Sequence, residues 1–299
     1  MDNFRLLVCN EPPHDGRVYF VKNDKRRWIP SGNHMDKYGF RWNEIETVSV
    51  EYMSNFFLSA PLALPDVKYH SELGVGAIRD HIGSQLSGAG IEFGAASNPF
   101  PCSGNANVEY ADFFDNFSEE SPYFNNKSYV NEFVKCRYKT SIDDMTGIRE
   151  SSQDFLIACH VIEHVRNPLL AIEKAWGKLK LGGKLVLLVP HRDLTFDAAR
   201  DLTTLDHLVL DYKRPLRERD FLHFVEFYEK AFVSPNPFDV ATREFNNKYS
   251  DIHYHTWNED SFLEMVTYFS EHIKPWSNIA YYPHSVEKVA NEFYFILEK

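Results

Sequence analysis

In Lys184-Leu-Val-Leu-Leu-Val189, the five residues after the lysine are an unbroken apolar run with no alternation. A strand of that kind has no face to offer water, so it belongs in a sheet covered on both sides. Asp154-Phe-Leu-Ile-Ala158 reads as a second such strand. Between them, Asn167-Pro168 opens an amphipathic stretch to Leu179, with proline in the first turn of a helix. Leu181-Gly182-Gly183 then supplies a helix stop. Strand, helix and strand in that order predict a parallel βαβ unit and a doubly wound α/β sheet.

The same rhythm extends both ways. Leu73, Ile78, Ile82 and Leu86 can share a helix face that Gly88-Ala-Gly90 ends. Ile91 to Gly94, Val108 to Ala111 and Phe133 to Tyr138 read as strands. Asn258 caps a helix through Ile273, and Ile279 to Tyr282 with Phe293 to Leu297 can close an antiparallel hairpin. Residues 190–257 are polar, rich in His and Asp, and too long for an ordinary loop. Residues 1–65 differ. Arg17 to Val21 and Arg27 to Pro30 form a hairpin pattern around Asn23-Asp24. Ser31-Gly32-Asn33 can cap a short helix to Gly39, Ile45 to Val50 is strand-like, and Ala60 to Pro65 reads as a linker. The expected organisation is a β-rich module over 1–65 and an α/β domain over 66–299, with 190–257 as an insertion.

Thirty-two Lys plus Arg against 43 Asp plus Glu gives a net charge of −11. That balance argues against a general nucleic-acid binder. No stretch approaches the roughly 20 apolar residues of a membrane helix, and the first residues are too short and acidic for a secretory signal. Cys9, Cys102, Cys136 and Cys159 lack any Cys-x-x-Cys spacing. The expectation is a cytoplasmic protein with small buried cysteines. The sequence leaves the oligomeric state open.

Three fragments carry ligand chemistry. Ile91-Glu92-Phe-Gly94-Ala95-Ala-Ser97-Asn98-Pro99 follows a strand, and a tight turn there lets backbone approach a ligand. It has one glycine where a dinucleotide fingerprint has three, so classical NAD binding is the weakest option. Asp112 ends the next strand, where an acid commonly accepts hydrogen bonds from a ribose diol; a solvated loop acid is the plain alternative. Asp144-Met145 pairs an acid with an apolar side chain that can grip an adenine, or else caps a helix.

The fourth fragment makes a resemblance specific. Asp154-Phe-Leu-Ile-Ala-Cys-His160-Val-Ile-Glu163-His164-Val-x-Asn167-Pro168, followed by Leu179-x-Leu-Gly182-Gly183-x-Leu-x-Leu-x-Val189-Pro190, resembles the fourth- and fifth-strand region of class I S-adenosylmethionine-dependent methyltransferases, in particular the "type 11" subgroup. The resemblance covers about 70–299. It implies a seven-stranded Rossmann-like sheet and S-adenosyl-L-methionine as cofactor. Glu92, Gly94, Ala95, Ser97 and Asn98 fall at the first motif, Asp112 at the ribose, Asp144 and Met145 at the adenine, and His160 near the cofactor. Ala96 and Asn98 stand where the family has its second and third glycines. Pro190-His191-Arg192 through Asp211-Tyr212, and Ile252-His253-x-His255-x-Trp257, are similar to a bacterial subgroup that accompanies glycosyltransferases. There His191-Arg192 replaces the usual Asp-Lys. Val18-Tyr19-x-Val21, Arg26-x-Trp28-Ile29 and Gly39-x-x-Trp42 resemble a small module found beside glycan-modifying enzymes. Trp28, Tyr38 and Trp42 offer faces that can stack on sugars or simply pack a core.

The resemblance therefore implies a methyltransferase for a sugar, nucleotide-sugar or glycan hydroxyl. Another small molecule or an amine is the second acceptor class, and a non-catalytic binding module is the third reading. A hydroxyl of high pKa needs a base or a metal. His207, His253 and His164 are the base candidates, with a structural role weighed against each. His191, Arg192, Arg200, His223 and His255 are the substrate-binding candidates, with a solvated face as the alternative for the arginines. His253 and His255 are two apart and would share a face in extended chain. With His207, Asp211 or His223 they could hold a metal, but that spacing is weak, and no metal ligand is assigned.

Overall fold

In the computed structural model, residues 4–113, 133–247, 251–284 and 290–299 are described. The chain divides into two units, Met1–Thr140 and Ser141–Lys299.

The first unit begins with β1 (Arg5–Val8), β2 (Val18–Lys22) and β3 (Lys25–Trp28). Lys22 pairs with Lys25 across the β2–β3 turn, where Asn23 takes a left-handed φ of 56° that asparagine tolerates. Helix α1 (Gly32–Tyr38) follows and stops at Gly39, φ 70°. Next come β4 (Ile45–Thr47), α2 (Val50–Met53) and β5 (Phe57–Ser59). The strand read over 45–50 is shorter because the Ser49 side chain accepts the Tyr52 amide and starts α2. The sheet order is β4-β1-β2-β3-β5. Its residues feed two buried clusters, one around Leu7, Tyr19 and Met53, the other around Leu6, Ile29 and Met35.

The segment read as a linker is core. Ala60 and Ala63 are fully buried, and Leu62 bridges to Cys102. Arg27 locks it by donating to the carbonyls of Ala60 and Cys102. Its prolines break regular structure, but its apolar side chains favour burial over solvent.

Helix α3 (Val75–Gly83) buries Ile78 and Ile82. It ends five residues before Gly88, since Gly88-Ala89-Gly90 belongs to the next strand. That strand, β6 (Gly88–Phe93), runs parallel to β7 (Ala106–Asp112), which pairs with the short parallel β8 (Tyr138–Lys139).

The second unit holds β9 (Gln153–Cys159), α4 (Pro168–Lys178) and β10 (Leu179–Pro190). Asn167 caps α4 by accepting the Leu170 amide. The helix stops at Lys178, not at the glycine pair. Gly182, φ 75°, and Gly183 instead serve a register shift between Leu179 and Lys184 in β10. Residues 185–189 are completely buried, as their composition demands.

Residues 190–257 carry short 3-10 turns, α5 (Leu205–Lys213), α6 (Arg217–Glu226), a π-helical turn at Phe227–Ala231 and α7 (Pro237–Phe245). Phe224, Phe227, Ala241, Ile252 and Tyr254 give them a core of their own. Residues 248–250 of the expected insertion lie outside the described residues. Helix α8 (Glu259–His272) starts with a capping box between Asn258 and Ser261. Strands β11 (Asn278–Tyr282) and β12 (Glu292–Glu298) are antiparallel, and the order in this unit is β11-β12-β10-β9. These four strands, counted with β6, β7 and β8 of the first unit, give the seven expected of a mixed α/β chain. No helix among the described residues is long and apolar enough to cross a membrane.

Candidate functional site

In the first unit, parallel register places Phe93 opposite Ala111, so Gly94 and Asp112 leave their strands side by side at the carboxyl edge. The Gly94 amide donates to the Ala111 carbonyl at 3.0 Å. Gly94 (φ 69°) and Ala96 (φ 45°) are both left-handed, and the Asn98 amide closes a turn on the Ala95 carbonyl. Gly94, Ser97 and Asn98 are exposed while Ala95 is buried. Glu92 sits beneath, fully buried, with both carboxylate oxygens accepting the Phe100 amide at 2.9 and 3.1 Å. Burial pushes its pKa up to about 8. Glu92 thus anchors the turn from below. Trp42 and Trp28 are exposed, whereas Tyr38 stacks on Phe40 and donates to the Ala63 carbonyl.

In the second unit, Asp144 is exposed and Met145 buried, both in a turn instead of at a helix cap. Thr146 donates to Asp144. His160 has a left-handed φ of 51° and pairs with buried Glu292 at 2.8 Å. It shares no helix face with His164: the intervening chain is a 3-10 turn, and the two rings lie 3.7 and 3.9 Å from the buried Glu163 carboxylate. Burial raises Glu163, though the surrounding histidines oppose it. Burial alone would lower His164, but Asp251 and Glu163 outweigh it and push it up to about 9.

His253 Nδ1 meets Asp197 Oδ2 at 2.5 Å, both buried. Arg200 Nη1 donates to the other Asp197 oxygen at 2.9 Å and to the His253 carbonyl at 2.8 Å. Its Nη2 reaches Glu226 and the Tyr254 carbonyl. Burial would raise Asp197, but His253 and Arg200 outweigh it and hold its pKa low. Arg200, read as a substrate ligand, is 2% exposed, so its guanidinium braces this loop. Arg192 is likewise engaged, with the Arg200 carbonyl and Asp193. His191 pairs with Glu259 at 3.1 Å, and His284 holds the other Glu259 oxygen at 2.7 Å.

His207, His223 and His255 form a separate cluster. His207 and His223 Nε2 atoms are 3.2 Å apart. The His255 ring lies 5.7 Å from that of His207 and 5.0 Å from that of His223. Burial, then the neighbouring imidazole, lowers His223 to about 4 and His255 well below the usual histidine value. His253 and His255 therefore serve different clusters, contrary to the face-sharing expected of extended chain. Residues 251–256 have no strand partner to impose a period of two. Asp197, Glu163, Glu259, Glu292 and His284 gained no role from the sequence. Only Glu163, in His160-Val-Ile-Glu163-His164, and Asp197, within the run from Pro190 to Tyr212, lay in fragments that carried a resemblance.

No family model matches this chain, and no curated protein matches it. Similar solved structures include an S-adenosyl-L-methionine-dependent methyltransferase from Methanococcus maripaludis: 13% identity, 74% of this chain and 83% of that one, TM-score 0.40. A Methanosarcina mazei S-adenosylmethionine-dependent methyltransferase shows 15% identity over 73% of this chain and 95% of its own, TM-score 0.37. A Burkholderia thailandensis 1,6-didemethyltoxoflavin N1-methyltransferase with bound S-adenosylhomocysteine shows 11% identity over 73% of each chain, TM-score 0.38.

Proposed function

We propose that this chain is an S-adenosylmethionine-dependent methyltransferase acting on a sugar, nucleotide-sugar or glycan hydroxyl in the cytosol, in polysaccharide biosynthesis. The observation that carries the cofactor reading is the strand edge where Gly94 and Asp112 emerge together. Gly94 carries no side chain at that turn, which fits close approach of a ligand to backbone. Asp112 supplies the acceptor a ribose diol requires. Gly94, Ala95, Ser97 and Asn98 would hold the methionine end, over a turn that Glu92 anchors. When bound, the cofactor supplies an electrophilic methyl group.

The acceptor hydroxyl must lose its proton as it is methylated. His253 is the base in this reading. Its Nδ1 is fixed on Asp197, which sets ring orientation and leaves Nε2 to take the proton. His164 is the poorer base, because the carboxylates around it keep it protonated at neutral pH. The second unit's 190–257 segment would act as acceptor-recognition element.

Calorimetric titration with S-adenosylmethionine and S-adenosylhomocysteine tests the cofactor reading. The wild type should bind both. Asp112→Ala should weaken each by about 10- to 100-fold, the worth of hydrogen bonds to a charged acceptor. Absence of wild-type binding would overturn it.

A further inference from the structure

We propose that His207, His223 and His255, with Asp211 adjoining His207, form a binding site for a divalent transition metal of the zinc class. These residues come from three places: His207 and Asp211 one turn apart on α5, His223 on α6, and His255 on the 251–256 segment. One ligand atom from each histidine lies within 4.8 Å of the others.

Two of the spacings match the edge of a tetrahedral site. Zn–N bonds of about 2.0 Å set ligand atoms about 3.3 Å apart along each edge. His207 and His223 Nε2 are 3.2 Å apart, and Asp211 Oδ2 is 3.0 Å from His207 Nε2. The Asp211 oxygen is at ion-pair distance but outside hydrogen-bond geometry, and it is buried. His255 is 1% exposed, and its Nδ1 has no hydrogen-bond partner. An unpaired buried polar atom is costly, and a cation would satisfy it.

The outer contacts are those a metal site needs. His255 Nε2 faces the Arg166 carbonyl at 3.3 Å, which fixes the tautomer that leaves Nδ1 a lone pair. Arg219 holds Asp211 Oδ1 at 2.6 Å, leaving Oδ2 to the cluster. A cleft of about 370 Å³ lined by His207, His223, Thr204 and Tyr254 gives an ion access from solvent. Two other clusters compete less well. In Glu163-His164-His253, the nitrogen of His253 that Asp197 leaves free, Nε2, is the proton acceptor of the proposed base. In His191-Glu259-His284, both carboxylate oxygens are paired and His284 is exposed.

The test uses the full chain, stripped with EDTA and titrated with ZnCl2 or CoCl2. One equivalent of Co²⁺ should give the intense visible absorption of a tetrahedral site, and Zn²⁺ should displace it. His223→Ala and His255→Ala should each weaken binding on the order of 100-fold, while His284→Ala leaves it unchanged. Should those variants misfold, histidine ¹⁵N spectra of the wild type locate the ligands directly, since three imidazoles should shift together on adding Zn²⁺. No uptake by the wild type would overturn the proposal. So would uptake that His223→Ala and His255→Ala leave intact, or Zn²⁺ shifts confined to other histidines. None of these readouts depends on methyl transfer or on cofactor binding.

Discussion

Glu92→Gln should remove a pH dependence from the stability of the first unit. The Glu92 carboxyl is fully enclosed, and a single amide, that of Phe100, faces it. Burial lifts its pKa from 4.5 to about 8. A raised folded pKa means the native state binds a proton that the unfolded chain has released. The resulting stability is complete below pH 4.5 and is lost as pH rises through about 8. At about 1.36 kcal/mol per pH unit, wild type at pH 7 has lost about 3 kcal/mol relative to pH 4.5. Glutamine keeps an oxygen for the Phe100 amide and carries no charge. The stability gap, variant minus wild type, should therefore widen by about 1.4 kcal/mol per pH unit between pH 5 and 8. Urea unfolding across that range measures it, and a gap of 3 kcal/mol is a midpoint difference of about 1 M or more. The slope is the signature, because any cost of the buried amide is independent of pH. Parallel stability curves would show that Glu92 is solvated or paired as an anion and would refute the reasoning.

Two glycines on one helix should respond oppositely. A Cβ at Gly83 would stand 1.9 Å from the Pro101 carbonyl oxygen, so Gly83→Ala should cost about 3 kcal/mol, whereas Gly76 has nothing within 4 Å and Gly76→Ala should gain about 0.5–1 kcal/mol; thermal melts of both variants check this. Asp197→Asn leaves Arg200 and His253 without their buried anion and should cost about 3–5 kcal/mol at pH 7. Asp197 has a depressed pKa, so its contribution exists above the unfolded carboxylate value and disappears as pH falls below it; the deficit in urea unfolding should shrink at pH 3.

Local chemistry was legible where one physical demand dominates. The apolar run of β10 has only one environment in which it is stable, and it occupies that environment completely. Asn167-Pro168 and Asn258 start helices because their side chains satisfy amides within the same turn. The signal fails where one sequence serves two geometries. Gly182-Gly183 can end a helix or bulge a strand, and the register forced on β10 by β9 selects the bulge. Ala60 to Pro65 has the prolines of a linker and the side chains of a core, and burial wins once Arg27 satisfies the carbonyls.

The candidate site was least legible in the 251–256 segment, and the reason is how its backbone is held. It joins no strand ladder. The Tyr254 amide donates to the Glu163 carbonyl, Arg200 takes the carbonyls of His253 and Tyr254, and Thr256 exchanges bonds with Thr203. Each partner is far away in sequence, so periodicity carries no information about where the side chains point. His253 is delivered to Asp197 and His255 to His207 and His223, so two histidines two positions apart join separate clusters, the one proposed for proton transfer and the one proposed for a metal. Arg200 grips the backbone at His253 and also holds Asp197, so one buried guanidinium orients the dyad and fixes the segment that presents His255. Arg200, a substrate-binding candidate in the sequence, is in the fold a buried brace that holds Asp197 and the backbone carbonyls of His253 and Tyr254.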